Sequence, residues 1–261
     1  MRVFVLVTSG CLVILGATPV IADELPVAPV PGVMDTTVDG TELVLELATS
    51  ISTESIDGAV LHPRMQLQHV AANGLGGYAG ISAAEVMGNG DTGGSIGNVD
   101  LGGLYQHRIN PDLAIGVRAG LLLDTATDDD SANLIATLLT RPGDLATAVP
   151  GTWLRTGGSL RFRSATGFMG LDAGVDVPLG SDGRDPIAHV NVGAGVTVDR
   201  WSVAAELGML RMNGGDPGSF NVMGLAAHYH GAQASPYIMV STPLEEFFGG
   251  RIVTLTVGAV F

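Results

Sequence analysis

Residues 249–261 read GGRIVTLTVGAVF, and the alternation of apolar residues in this stretch decides the fold. Every second residue counted back from the end is apolar; this set is Phe261, Ala259, Val257, Leu255 and Val253. The residues between them are mixed, and most are small or polar. Because successive side chains of a β-strand point to opposite faces, the stretch predicts a strand with one apolar face. An apolar face that ends on an aromatic residue favours a strand that closes a barrel and faces lipid.

The same alternation recurs along most of the chain. In LAIGVRAGLLLD (113–124), Ile115 and Val117 fall on one face, while Gly116 and Arg118 fall on the other. Such apolar-out, polar-in segments are typical of transmembrane barrels. About twelve segments share this pattern, and the predicted strands are 42–50, 64–72, 77–87, 96–109, 113–125, 152–164, 167–179, 187–198, 201–212, 220–230, 234–242 and 250–261.

The connections between these segments alternate in length. Tight connections such as NPD (110–112) and DR (199–200) alternate with longer ones rich in glycine, proline and acidic residues. Short periplasmic turns and longer outer loops are typical of outer-membrane barrels. The sequence therefore predicts an all-β fold, a transmembrane antiparallel up-and-down β-barrel of about twelve strands. We expect loops 51–63, 126–151 and 243–250 on the outer side.

The N-terminal residues predict export. A short positive start, an apolar core and small residues before Ala22 favour a signal peptide at 1–22, cleaved after Ala22. A proline-rich lead follows at 23–40, and the barrel occupies 41–261. The single cysteine, Cys11, belongs to the predicted leader, so we expect no disulfide in the mature chain.

Charge and hydropathy narrow the class of protein further. The chain has 26 acidic against 12 basic residues and a formal net charge of −14, which disfavours nucleic-acid binding because phosphate contact needs a basic face. No stretch after the leader has 18 uninterrupted apolar residues, which argues against membrane-spanning helices. Only helices and closed barrels satisfy the backbone in lipid, so an apolar chain without such helices favours a barrel.

The leader, the alternation and the terminal aromatic strand together resemble outer-membrane β-barrel proteins of Gram-negative bacteria. The resemblance implies an outer-membrane location, and it implies that the strand ending at Phe261 is an assembly signal read by the barrel-assembly machinery. The segment GNVDLGGLYQHRINPDLAIGVRAGLLLDT (97–125) is also similar, in pattern alone, to channel-type barrels linked to uptake of small organic compounds. Aromatic residues for the membrane interfaces are few, and the candidates are Trp153, Trp201, Tyr229, Tyr237 and Phe261.

Charged residues on the predicted inner faces are the candidate pore-lining residues. Across the tight AT turn, pairing Ser164 with Gly167 sets Arg155 opposite Asp176. Charged rows along a pore select and orient polar solutes. The alternative is a set of ion pairs that hold the barrel wall together. The candidates are Arg118, Arg155, Arg161, Arg163, Asp172, Asp176, His189 and Glu206.

The state of the lumen is open to two interpretations. Barrels of about 8 strands fill with side chains and those of about 16 or more hold water, so the many small inward residues of an intermediate barrel favour a lumen. Alternatively, loop 126–151 or the proline-rich lead folds in as a plug. Within that loop, SANLIATLLT (131–140) has helical apolar spacing and predicts a short helix. Acidic outer loops predict a mouth that attracts cations and contacts lipopolysaccharide through divalent ions.

No constellation of residues predicts an enzyme. His228 and His230 share a strand face as metal ligands do, but no third ligand lies nearby, so we expect neither a metal site nor a cofactor. The favoured function is a passive channel for small solutes in the lipid of the outer membrane. One alternative is a barrel enzyme that acts on lipid or peptide. The other is a structural or adhesive surface protein with a plugged lumen.

Overall fold

The computed structural model describes residues 4–8, 11–15, 40–52, 58–88, 92–127, 131–180, 184–212, 219–245 and 252–261. Two short paired strands, Phe4–Thr8 and Cys11–Leu15, fall within the predicted leader. Residues 16–39, which include the predicted cleavage site and nearly all of the proline-rich lead, lie outside the described residues. So do parts of the three predicted outer loops.

Twelve antiparallel strands form the closed barrel. The strands are β1 (Gly40–Ser52), β2 (Gly58–Val70), β3 (Leu75–Gly88), β4 (in two segments, Thr92–Ile96 and Val99–Asn110), β5 (Leu113–Leu123), β6 (Trp153–Arg163), β7 (Gly167–Pro178), β8 (Ile187–Val198), β9 (Trp201–Met212), β10 (Ser219–Tyr229), β11 (Ser235–Pro243) and β12 (Ile252–Val260). Each strand pairs with its neighbours in sequence, and both segments of β4 pair with β3. The predicted fold class and strand number are confirmed.

The barrel closes where β12 pairs with β1. This ladder runs from the Ile252–Ser52 pair to the Val260–Val44 pair, and the other edge of β12 pairs with β11. Phe261 extends the closure, because its N–H donates to the carbonyl of Leu43 at 2.9 Å and its carbonyl accepts from the Leu43 N–H at 3.1 Å. Closure thus pairs β12 on both of its edges, as the hydrocarbon of a membrane requires.

The two faces of the strands differ in polarity as the alternation predicts. On β12, Val253, Leu255 and Val257 point outward and are exposed, while Thr254 and Thr256 point inward and are buried. The outer surface carries exposed Leu, Val, Ile, Met and Phe side chains on nearly every strand, and the inner face carries most of the buried polar residues. This arrangement is inverted relative to a soluble protein and suits a barrel with lipid outside.

Three details differ from the sequence-based expectations. Residues 58–63, expected in an outer loop, belong to β2, whose ladder to β3 passes from the Leu61–Glu85 pair to the Arg64–Ser82 pair around Pro63. Two of the expected interfacial aromatics, Trp153 and Tyr237, point into the barrel and are buried. Trp201 does lie on the outer surface, with its ring centroid 5.1 Å from that of Tyr229.

The long connection between β5 and β6 contains both helices found in the described part of the barrel domain. Helix α1 (Ser131–Thr140) matches the helix predicted at 131–140, and a short 3₁₀ helix (Pro142–Thr147) follows it. Of the helices in the described part of the chain, none combines the length and apolar character that a membrane-spanning helix needs.

Candidate functional site

The β5–β6 connection folds into the lumen of the barrel. Helix α1 approaches β1–β4 on one side and β10–β12 on the other, and the 3₁₀ helix approaches β8–β10. Strands from most of the barrel wall therefore surround this segment, which we call the inner loop (residues 131–147). The prediction that 126–151 is an outer loop is wrong for this part of it, and the alternative of a loop that folds inward is the correct one.

Apolar packing fixes the inner loop at the end of the barrel that carries the long connections. Leu139, Leu145 and Ala146 of the inner loop are almost fully buried. They pack in one cluster with inward side chains of the wall; the wall members are Leu122, Trp153, Ile187, Leu210, Phe220, Val222 and Ile252. Burial of each such Leu-sized side chain contributes roughly 1.5–3 kcal/mol, so this cluster anchors the inner loop in the lumen.

Asn98 ties both ends of the connection to the wall. It lies in the break between the two segments of β4 and is 1% exposed. Its side-chain amide donates to the carbonyls of Ala146, Val149 and Gly151 at 2.7–3.2 Å. Its side-chain oxygen accepts the backbone N–H of Thr125 at 3.1 Å. Sequence reasoning missed this residue, although the Gly97–Asn98 interruption of the alternation was visible.

A network of ion pairs holds the charged part of the inner loop. The Glu46 carboxylate on β1 accepts hydrogen bonds from two arginines. Arg141 of the inner loop donates through Nε at 3.0 Å and also through Nη2. Arg64 on β2 donates through Nη1 at 3.2 Å. The Tyr237 hydroxyl also donates to Glu46. Asp144 of the inner loop contacts Arg64 Nη2 at 2.9 Å. Glu46 thus binds Arg141, and Arg64 binds Asp144, so both charged residues of the inner loop are held by the wall.

Arg155 on β6 completes the network from the opposite part of the wall. It pairs side by side with Asp176 on β7, with both N···O distances at 3.0 Å. Its Nη1 also contacts Asp100 at 2.8 Å and Asp144 at 3.0 Å. The register sets Arg155 opposite Asp176, as the tight AT turn predicts. Arg155 thus connects two strands of the wall to the inner loop.

The eight predicted pore-lining residues all occupy inner-face positions of their strands. Besides the Arg155–Asp176 pair, Arg118 binds Asp172 through two N–H···O contacts at 2.5 and 2.9 Å, and its Nη2 lies 3.2 Å from His189 Nε2. Five of the eight are thus brought together in ion pairs or beside them. Arg161, Arg163 and Glu206 lie elsewhere on the inner face. A pore-lining role for the eight stays a prediction.

Two charged residues of the predicted outer loop lie inside the barrel. Arg141 and Asp144 fall within 126–151, but the ion pairs above place both in the lumen. The other acidic residues expected at the mouth lie mostly outside the described residues; these are Glu54, Asp57, Asp91, Asp128, Asp182 and Glu246.

Several inward glycines make room for large neighbours. A Cβ on Gly102 or Gly120 would lie about 2.5 Å from the ring or hydroxyl of Tyr78, and one on Gly258 would lie 2.4 Å from the ring of Tyr237. The interpretation that inward glycines leave open lumen is therefore wrong at these positions. Gly208 has a related role, because its Cβ would approach Pro142 of the inner loop at 3.0 Å.

A cavity remains between the inner loop and the wall formed by β8–β11. Its empty space, which includes open solvent, is about 340 Å³. Its lining consists of Thr140, Arg141, Pro142, Gly143, Asp144, Asn191, Glu206, Gly208, Val222, Gly224, Met239 and Ser241. The ion pairs of the inner loop go to β1, β2 and β6, whereas the wall on the cavity side carries mostly small or uncharged side chains. The open space beside the inner loop therefore lies along β8–β11.

The charges around Asp144 set the pH range in which the inner loop stays bound. Burial alone would raise the pKa of Asp144, but the guanidinium groups of Arg64, Arg155 and Arg141 outweigh burial and hold its pKa well below the usual range. A carboxylate with a lowered pKa contributes stability at every pH above its unfolded value of about 3.9 and loses it only as the pH falls through the folded value. The ion pairs of Asp144 therefore persist in mild acid.

The lowered pKa of Asp144 predicts that mild acid does not release the inner loop. Trp153 reports on the loop because it is 1% exposed beneath it and its indole N–H donates to the Val149 carbonyl. In a Trp201→Phe background, we expect acrylamide quenching of Trp153 fluorescence to stay constant from pH 7 to about pH 4. Increased quenching near pH 5 or 6 would contradict the prediction.

The two histidines near the tight-turn end do not assemble a larger site. The His228 and His230 ring centroids are 4.7 Å apart. His230 Nε2 is hydrogen-bonded to the Ser202 hydroxyl at 2.7 Å, and His228 Nε2 to the Ser235 carbonyl at 3.0 Å. Within the described ranges, no three His, Cys, Asp or Glu side chains are placed to share a metal ion.

Comparison with known proteins gives a likeness of fold. No protein-family model and no curated protein matches the sequence. Among solved structures, the COG4313 outer membrane channel from Pseudomonas putida F1 is similar at a TM-score of 0.65 and 14% identity, over 85% of this chain and 95% of that one. The NanC porin (TM-score 0.56, 13% identity) and the KdgM porin (0.55, 12%) are each similar over 84% of this chain and 98% of theirs. This chain thus has the fold of outer-membrane channels.

Proposed function

We propose that this protein is an outer-membrane channel through which small polar solutes diffuse passively. The observation that carries the proposal is the open pocket between the inner loop and the β8–β11 wall, which we take as part of the conducting passage. A closed barrel with an apolar outer face and a polar interior is built to sit in lipid and to hold water or polar solutes within. The inner loop narrows the lumen, so the solutes are small. The likeness to solved porins supports the same function at the level of the fold.

Planar-bilayer recordings of the refolded mature protein test this function. We expect steady single-channel currents in KCl, and we expect Gly224→Leu to reduce the conductance because the new side chain enters the passage. The matched control is Ala205→Leu, whose position on β9 faces outward and is exposed. Equal conductance in both variants would place the conducting path elsewhere, and a silent wild-type protein would favour a plugged surface barrel.

The proposal includes a location and a set of partners. The chain would be exported by a signal peptide cleaved after Ala22 and would sit in the outer membrane of a Gram-negative envelope. The tight turns, including 199–200, would face the periplasm, and the long connections would face outward. The acidic residues of the long connections would contact lipopolysaccharide through divalent ions, since like charges need a bridging cation.

The barrel-assembly machinery is the proposed partner of β12. Phe261 extends the closing ladder with two backbone bonds to Leu43, and its ring belongs to the outward set of the strand. If the machinery reads this aromatic, deletion of Phe261 should leave unassembled, protease-sensitive protein in the periplasm. Phe261→Tyr keeps an aromatic ring and serves as the control. Normal assembly of the deletion variant, measured by heat-modifiable mobility, would rule out this role.

A further inference from the structure

A carboxylate and a hydroxyl meet the same cavity without any partner of their own. Glu206 on β9 and Ser241 on β11 both line the cavity beside the inner loop. Among the residues that the structure describes, no hydrogen-bond partner reaches Glu206 Oε2 or the Ser241 hydroxyl, although both atoms are shielded from solvent. A polar group buried in this way costs free energy unless a partner satisfies it. Both atoms therefore favour a ligand that supplies donors.

The register separates the two groups by a glycine. Glu206 lies opposite Gly224 on β10, and Gly224 lies opposite Ser241 on β11. On its other side, Glu206 lies opposite Gly193 on β8. Since neighbouring strands are about 4.8 Å apart, the backbones that carry the acid and the hydroxyl are roughly 9–10 Å apart. The Met239 side chain lies beside the intervening glycine, because a Cβ on Gly224 would be 3.3 Å from its sulfur. Between Glu206 and Ser241, the row thus carries a glycine and a flexible, unbranched thioether.

The charges lining the cavity favour a cation. Its ionisable lining residues are Arg141, Asp144 and Glu206. Arg141 is neutralised by Glu46, and Asp144 by Arg64 and Arg155, so neither offers an unpaired charge to a solute. Arg141 and Arg161 act on Glu206 through longer-range electrostatics alone. Glu206 is thus the charged group of the cavity that has no ion-pair partner within the described residues.

We propose that Glu206 and Ser241 form a binding subsite for small amino alcohols, with the ammonium group at the Glu206 carboxylate and the hydroxyl group at Ser241. An ammonium donates three hydrogen bonds and carries the opposite charge, so it satisfies the acid in both respects. The subsite rests on the proposed channel function and adds a substrate class to it. It makes the passage selective for cations that also carry a polar group.

Three probes of similar size test the substrate class in planar bilayers. Ethanolamine carries both groups, ethylamine lacks the hydroxyl, and glycolate carries the opposite charge. At pH 8.5, with the amines mostly protonated and the carboxyl group ionised, we expect the wild-type channel to prefer ethanolamine over both other solutes. Glu206→Gln should lower the permeability ratio of ethanolamine to glycolate about fivefold, as loss of one close charge implies. Ser241→Ala should instead lower the preference for ethanolamine over ethylamine.

Glu85→Gln is the matched control, because Glu85 carries the same charge on the exposed outer face of β3. It should leave both permeability ratios unchanged. KCl currents with unchanged ratios in Glu206→Gln would overturn the subsite and leave the channel function intact. Absence of KCl current in the wild-type protein would overturn the channel function, and the subsite with it.

Discussion

Val257→Arg is expected to destabilise the folded barrel by about 2–4 kcal/mol, the cost of an arginine on the lipid face near the bilayer midplane. Val257 points outward from β12 and is 44% exposed, and it lies away from both ends of its strand. In a membrane, this exposure is exposure to hydrocarbon, where a guanidinium loses its water. Urea unfolding of the protein folded into lipid vesicles measures the change, as a lowered midpoint with an unchanged slope.

Val198→Arg is the control that separates lipid from water. Val198 also points outward and is 67% exposed, but it adjoins the tight Asp199–Arg200 turn at the rim. Near the interface the same substitution costs only about 0–1 kcal/mol. If the outer face were in water, both exposed arginines would be tolerated alike. Equal unfolding midpoints for the two variants would therefore show that the barrel does not have lipid around it.

The fold was predictable because its signal is local. The alternation on β12 assigns Val253, Leu255 and Val257 to one face without reference to any other strand. A tight turn fixes the register between the two strands that it joins, so the inner and outer faces of one strand also define those of the next. The Asp199–Arg200 turn does this between β8 and β9. The start of β2 was not predictable in this way, because Pro63 signals a loop and removes a ladder donor. The structure accommodates Pro63 on an exposed outward position of β2.

The interior of the barrel was predictable only where a turn links the partners. The Arg155–Asp176 pair follows from the two-residue turn between β6 and β7. By contrast, Arg141 and Glu46 are 95 positions apart in sequence, and no local pattern indicates which acid a loop arginine will meet. The helical spacing of 131–140 predicted α1 but not its place, because an apolar helix packs equally well against any apolar surface. The prediction of an outer loop at 126–151 therefore gives the wrong side of the barrel for Arg141 and Asp144.

Glu46→Ala is expected to release the inner loop from the lumen. Glu46 is 7% exposed and binds Arg141, Arg64 and Tyr237. Removing one partner of a buried ion pair costs about 3–5 kcal/mol, because the remaining charge is left without compensation. Swinging Arg141 into water avoids this cost, so the equilibrium shifts toward a displaced loop. We expect stronger acrylamide quenching of Trp153 in the Trp201→Phe background, together with a larger single-channel conductance.

Two further variants decide whether the ion pair itself holds the inner loop. Glu42→Ala removes an acid from the same inner face of β1, where Gln68 donates to Glu42 at 3.1 Å, and it should leave Trp153 shielded. Adding Arg141→Ala to Glu46→Ala removes the uncompensated charge. Acrylamide should therefore quench Trp153 less in the double variant than in Glu46→Ala alone. The difference reflects the coupling free energy that a double-mutant cycle measures. If Glu46→Ala leaves both quenching and conductance at wild-type values, the apolar cluster around Leu139 and Leu145 holds the inner loop without help from the charges.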